Sequence, residues 1–392
     1  MRFSSSYDVR RITLALAPIL ALALAAMPLA QAQTYTVLYT FTGGTDGSAP
    51  LSTPILYNGT VYGTAAGGGS QGNGTVYGLV FKSRKEIVLH SFTGGPTDGG
   101  DPIGGLVQDS SGNFYGVAYK GGAKNDGTLF KLTPAGAFTL LHSFGGPPAE
   151  GIGPAGTLVF DALGDLFGTT YVGGKTTGWG TVFEYSAAGT FKTGQSFSPD
   201  GALPKAGLLY ESGKLYGTTS GGDAHQYGGT IYQVGVQTAL YTFSGGADGS
   251  QPLGRLLGDG EGNVYGTTSA GGTGNFGLGW GVVFKYNLAS GQETVLHTFT
   301  GPDGGVPAAG LTWDSQGNLY GTTTLGGAYG YGNVFEIDPA GNFTSLHDFT
   351  GGADGATPYA GVLVDAKGNV WGAASAGGTG HGTLFLISPA TN

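Results

Sequence analysis

The sequence predicts an all-β fold, a seven-bladed β-propeller of four-stranded blades. Three observations predict it: a short Phe-ended run that returns seven times, aromatic columns that hold their place in every period, and a phase offset between the two ends of the chain. Self-similarity at a period of roughly 50 residues marks repeat architectures. Val88-Leu-His-Ser-Phe92 returns as Leu140-Leu-His-Ser-Phe144, Val295-Leu-His-Thr-Phe299 and Ser345-Leu-His-Asp-Phe349, with weaker copies ending at Phe41, Phe197 and Phe243. The 392 residues include 81 Gly and 18 Pro, a content that by itself signals disorder. The 21 Phe, 21 Tyr and 4 Trp argue for a large core instead. Gly this dense is incompatible with helices, where each one costs about 1 kcal/mol relative to Ala.

In chain order, the first element is an export signal over residues 1–32. Arg2, Arg10 and Arg11 precede an apolar run over 12–26, and Ala30-Gln31-Ala32 offers the small-x-small pattern that signal peptidases cleave. The run is too short for a bilayer, which needs about 20 apolar residues. Residues 33–392 then form a single propeller domain, expected in the periplasm or outside the cell. The absence of cysteine excludes disulfides, thiolate metal sites and a Cys nucleophile. The net charge of −9 with only 16 Lys and Arg leaves no basic footprint for nucleic acid.

Each period holds four short runs of β-branched and aromatic residues bounded by Gly, Pro, Asn or Asp. Strand a is exemplified by Ala309-Gly-Leu-Thr-Trp-Asp314, strand b by Leu319-Tyr-Gly-Thr-Thr323 and strand c by Gly332-Asn-Val-Phe-Glu-Ile337. The Phe-ended run is strand d. Strand b carries a ring followed by Gly at Tyr62, Tyr115, Phe167, Tyr216, Tyr265, Tyr320 and Trp371. Strand c carries Tyr77, Phe130, Phe183, Tyr232, Phe284, Phe335 and Phe385. These columns predict core layers between blades, with the Gly making room for close approach. The domain opens with a lone strand d, Tyr35-Thr-Val-Leu-Tyr-Thr-Phe41, and ends after a strand c, Gly382-Thr-Leu-Phe-Leu-Ile387. Pairing the two closes the ring and removes two exposed sheet edges.

The run Phe-Thr-Gly-Gly-x-Asp-Gly-x-x-Pro-x-Ala-Gly-Leu, then Asp-x-x-Gly-Asn-Leu-Tyr-Gly-Thr-Thr and Gly-Thr-Val-Phe, resembles the Gloeo/Verruco ("GloVer") tandem repeats of exported bacterial proteins over roughly residues 35–390. That family is similar in layout to NHL and kelch propellers. The resemblance implies the propeller fold and export, and no catalytic residues. The repeats depart from the pattern at Asn58-Gly59 and at Thr193-Gly-Gln-Ser-Phe197.

Two sets of residues are candidates for function. An acid-Gly-x-x-Pro motif recurs between strand d of one blade and strand a of the next, with acids Asp46, Asp98, Glu150, Asp200, Asp248, Asp303 and Asp354. Asp-Gly forms turns, and Pro suits the start of a strand, so a recurrent inter-blade turn is one reading. A carboxylate ring that holds Ca²⁺ at the channel mouth is the other. No other cofactor is expected. His90, His142, His297 and His347 share one strand d column with Tyr39, Gln195 and Tyr241, which marks a half-buried polar slot. The b–c loops vary most, and varied loops carry function. They supply Tyr171, Lys175 and Trp179; Asp223, His225 and Tyr227; Phe276 and Trp280; and Tyr329 and Tyr331. Rings beside hydrogen-bonding groups suit sugars. The expectation is a monomeric binding or scaffold module, with a polysaccharide or a cell-envelope protein as partner. The alternatives are a polysaccharide lyase or glycoside hydrolase on the same loop face, and a structural cell-surface protein. Gly272-Thr-Gly-Asn-Phe-Gly277 matches a dinucleotide fingerprint in letters only, because no helix follows it.

Overall fold

The computed structural model describes residues 33–146, 150–175, 178–198, 201–221, 228–272 and 279–389. The expected export signal over 1–32 lies outside them, as do Asp200, Asp223, His225, Tyr227 and Phe276. Seven antiparallel sheets, each ordered a-b-c-d, form the seven blades. Blade 1 comprises Ile55–Tyr57, Thr60–Gly67, Thr75–Val80 and Lys85–Ser91. In blade 7, Leu363–Val364, Val370–Ala374 and Thr383–Ser388 are completed by Thr34–Thr40. The closing pair runs from Thr34 opposite Ser388 to Thr40 opposite Thr383. The expected closure between the termini is thus present.

The core lies between blades. The strand d Phe of each blade meets the strand c ring of the next edge-to-face: Phe41 on Tyr77, Phe92 on Phe130, Phe144 on Phe183, Phe197 on Tyr232, Phe243 on Phe284, Phe299 on Phe335 and Phe349 on Phe385. Centroid separations run from 4.8 Å for the Phe197 pair to 5.4 Å for the Phe349 pair. Such pairs contribute roughly 0.5–1.5 kcal/mol each beyond their area burial. The Gly after each strand b ring lies beneath the strand c ring of its own blade, and any side chain at Gly63 or Gly217 would collide with Tyr77 or Tyr232.

Two features differ from the sequence pattern. Strand a is shorter than expected, with only Thr312–Trp313 of the 309–314 run paired as strand. Its first half converges on the axis, and its carbonyls are satisfied from the preceding blade instead. Thr64 Oγ1 donates to Gly104 O at 3.0 Å, Thr169 Oγ1 to Ala206 O at 2.9 Å and Thr322 Oγ1 to Ala360 O at 2.9 Å. Strand d is not a plain alternating strand either. Val76 pairs with His90 but the adjacent Tyr77 pairs with Val88, leaving Leu89 as an extra residue in a bulge. The same slip occurs opposite Leu129/Phe130, Val283/Phe284 and Val334/Phe335. A bulge bends the strand and sharpens its twist, and the extra Leu89 packs against the core of blades 1 and 2.

Candidate functional site

The acid-Gly-x-x-Pro motif fastens one blade to the next. Its fourth residue is left-handed in all seven copies: Ala49, Asp101, Gly153, Leu203, Gln251, Val306 and Thr357 have φ between 51° and 65°. The N–H of this residue donates to the b–c loop of the blade just completed, as in Ala49 to His381 O at 2.9 Å, Asp101 to Asn73 O at 2.9 Å, Val306 to Trp280 O at 2.7 Å and Thr357 to Tyr331 O at 2.9 Å. Its carbonyl accepts from the end of strand b in the following blade, as in Tyr119 N–H to Asp101 O at 3.0 Å and Ser269 N–H to Gln251 O at 3.1 Å. One left-handed residue therefore spans two blades. The Pro that follows packs against the Gly that precedes strand c, where a side chain at Gly74 would meet Pro102 and one at Gly382 would meet Pro50.

The motif acid is spent on its own turn. Asp98 accepts from Thr93 N–H at 2.9 Å, Thr93 Oγ1 at 3.0 Å, Gly99 N–H at 2.7 Å and His90 Nε2 at 3.0 Å. Burial alone would raise its carboxyl, but these bonds, led by the one from His90, hold it below the ordinary carboxylate value. Glu150 takes His142, Asp303 takes His297 and Asp354 takes His347 in the same way, while Asp46 and Asp248 take the hydroxyls of Tyr39 and Tyr241. The strand d polar column is therefore the partner of the acid. Among the described residues, no group of three or more His, Asp or Glu is placed to hold a metal ion. The carboxylates Asp46, Asp98, Glu150, Asp248, Asp303 and Asp354 stand apart in six separate turns.

The partner sets the next ring out. Where the column holds His, an aromatic of the neighbouring strand d stacks on it: Phe138 on His90 at 4.1 Å, Phe191 on His142 at 3.6 Å, Phe343 on His297 at 4.2 Å and Tyr35 on His347 at 3.6 Å. Where it holds Tyr, the neighbour is Glu: Glu86 beside Tyr39 and Glu293 beside Tyr241. Burial, reinforced by Asp46 and Asp248, pushes Glu86 and Glu293 up to about 7.

The b–c and d–a connections share one face, as expected, and the loop residues divide on it. Trp179 packs against the core between blades 3 and 4. Lys175 is exposed, its N–H 3.4 Å from Ser196 Oγ. Trp280 lies across Gly301 and Gly305 of the next d–a turn, and Tyr331 lies across Gly351 in the equivalent place. Both rings nevertheless keep an open side, at 38 % and 48 % exposure, and Tyr329 is 61 % exposed. Leu325 and Tyr359 are also exposed. These five are linked through the backbone. Leu325 bridges to Gly305 beneath Trp280, and Tyr331 O takes Thr357 N–H two residues before Tyr359. They form an apolar strip over blades 5 to 7.

Tyr171 stands elsewhere, at an axial cavity of about 710 Å³ walled by strand a of all seven blades. The wall is mostly Gly, Ala, Leu and Ile, broken by Tyr119, Tyr171, Lys205, Arg255 and Tyr359. Lys205 Nζ lies 4.8 Å from the Tyr171 ring centroid, within cation–π reach. Sequence reasoning passed over Lys205, Arg255, Tyr119 and Tyr359. The signal was present for three of them. Lys205 and Tyr359 break the column after the motif Pro, otherwise Leu51, Ile103, Ala155, Leu253 and Ala308, and Arg255 breaks a column of Gly and Thr two places on.

No helix among the described residues is long and apolar enough to cross a membrane. No curated protein matches the chain. Solved structures similar in fold include an oligogalacturonate lyase from Vibrio parahaemolyticus at 11 % identity, covering 90 % of this chain and 93 % of that one with a TM-score of 0.57. A gluconolactonase from Xanthomonas campestris matches at 13 % identity over 94 % of this chain and 92 % of its own, with a TM-score of 0.50. The extracellular domain of a protein assigned as a hybrid two component system from B. thetaiotaomicron matches at 12 % identity over 91 % of this chain, with a TM-score of 0.57, and the match spans 41 % of that longer chain. At such identities the likeness is one of fold. The sequence itself matches the model of the Gloeobacter/Verrucomicrobia repeat over residues 26–158, 57–278 and 228–392, and the chain belongs to that family.

Proposed function

We propose that the protein is an exported carbohydrate-binding module whose ligand lies on the shared b–c and d–a face, along the strip over blades 5 to 7. One observation carries the reading. The repeats bury their columns of rings, yet Trp280, Leu325, Tyr329, Tyr331 and Tyr359 all remain exposed on this one face. Exposed apolar residues gathered on one face mark a candidate recognition surface, and flat rings stack on the C–H faces of sugars while hydroxyls and amides take the polar groups. Most glycoside hydrolases use two facing carboxylates. The six described motif acids are tied into their own turns, and no Asp or Glu among the described residues lines the axial cavity, so the geometry favours binding over hydrolysis. Export is supported by the Arg-led apolar segment before Ala30-Gln31-Ala32 and by the fold likeness to an extracellular domain. A glycan array followed by calorimetry on the purified chain tests the proposal. Saturable binding of at least one oligosaccharide class supports it. An array without binders, together with release of reducing ends or unsaturated products from polysaccharide, replaces it with the enzymatic reading.

A further inference from the structure

The axial cavity contains a cation that the fold does not explain. Arg255 stands where all six other blades carry Gly or Thr, and its Nε is fully buried and lacks a hydrogen-bond partner among the described residues. No salt bridge to it occurs among the described residues, and no carboxylate lines the cavity. Arginine does not shed its proton in proteins; the side chain is half-buried, with Nε the atom sealed from solvent, and an orphaned buried donor on a charged group is costly for a fold to retain. Burial presses on this guanidinium in that sense, holding it below its ordinary value. Lys205, on the adjacent blade, lines the same cavity and is exposed. It follows its motif Pro by one residue and Arg255 follows its own by three, which sets their backbone positions about 6–7 Å apart along the strand direction at the rise of an extended strand. A chain with net charge −9 has thus set two cations without a carboxylate partner at one cavity.

We infer that Arg255 and Lys205 form an anion subsite in the axial cavity, built for the carboxylate of an acidic saccharide. The inference rests on the carbohydrate reading for the identity of the ligand, and on the cavity alone for its charge. The guanidinium fork matches a carboxylate in two parallel hydrogen bonds. Lys205 supplies a second charge at the cavity, its ammonium held beside the Tyr171 ring. The cavity volume falls in the range of small-ligand sites, so it takes a chain end or a short oligosaccharide. The acidic exterior of the protein makes the subsite a selective one: an anion gains nothing from the general surface field and must be held by these two groups.

Calorimetric titration of the full chain with uronic-acid oligosaccharides and with their carboxyl-reduced neutral counterparts tests this, alongside thermal shift with inorganic sulfate and phosphate. The wild type is expected to bind the acidic series at least tenfold more tightly than the neutral one. Arg255→Met should remove that preference, leave neutral binding within twofold and keep or raise the melting temperature, since a half-buried, unpaired charge is replaced by an apolar chain of similar length. Arg255→Lys should retain part of the preference. Equal binding of both series by the wild type overturns the subsite and leaves the carbohydrate reading standing. Failure of both series with an Arg255-dependent shift from sulfate or phosphate overturns the carbohydrate reading and keeps an anion site. No Arg255-dependent response to any anion, or a melting temperature that collapses in Arg255→Met with acidic binding unchanged in Lys205→Met, makes Arg255 a packing residue and overturns the inference.

Discussion

The carbonyl of His381 accepts the N–H of Ala49 at 2.9 Å, joining the last b–c loop to the first motif turn, and the imidazole of His381 fills the space above Gly43. The other six blades make this contact within continuous chain. Here it is made between segments more than 300 residues apart, together with the strand pair from Thr34 to Thr40. Closure therefore depends on the first strand. Deleting 33–42 should expose the Thr383–Ser388 edge and the blade 7 to blade 1 core, with aggregation following. Light scattering and a thermal melt check it, and a monomer with an unchanged melting temperature contradicts it.

The left-handed motif residue carries strain. Val306 and Thr357 are β-branched yet hold φ of 55° and 52°, a conformation that costs an L-residue roughly 1–2 kcal/mol. The inter-blade hydrogen bonds on either side enforce it. Val306→Gly should raise stability by about 0.5–1 kcal/mol, the relief of strain less the entropy of Gly. Val306→Pro should destabilise strongly, since it removes the N–H that bonds Trp280 O. Urea titration separates the two.

The pH dependence follows from the outer ring. Glu86 and Glu293 have folded-state values raised to about 7 from 4.5. Folding thus favours their protonated form. Their contribution is present below pH 4.5 and is lost as pH rises toward about 7. Asp98, Asp303 and Asp354 act in the opposite sense: their values are lowered, so their contribution holds above the ordinary carboxylate range and is lost in stronger acid. His297 and His347, lowered by burial, also favour the higher pH. The difference between wild type and the Glu86→Gln, Glu293→Gln double variant isolates the first effect. The variant should gain stability relative to wild type as pH rises from 4.5 to 7, and a constant difference across that window would contradict the assignment.

The fold was legible because its determinants are repeated: the rings, the Gly beneath them and the acid-Gly-x-x-Pro turns each occur seven times, so a period reads out a contact. The left-handed fourth residue was not legible, since Ala, Asp, Gly, Leu, Gln, Val and Thr share nothing in side chain and are fixed by backbone bonds alone. The site was legible only in part. Loop rings such as Trp179 and Trp280 look equivalent in sequence, yet one packs into the core and the other keeps an open face. Lys205 and Arg255 were hidden because an odd residue in a strand column reads as tolerance until the column is seen to wall a cavity.

The most direct test of the account is oligosaccharide titration of Tyr329→Ala. Tyr329 is the most exposed ring of the strip, and among the described residues its ring meets no other aromatic. Its loss should leave the melting temperature nearly unchanged, as exposed substitutions usually stay within about 0.5 kcal/mol. If the strip over blades 5 to 7 binds sugar, affinity in calorimetry should fall by roughly 1–3 kcal/mol, with a comparable loss in Trp280→Ala. A bound oligosaccharide whose affinity is the same in wild type, Tyr329→Ala and Trp280→Ala would show that the ligand lies elsewhere and contradict the central claim.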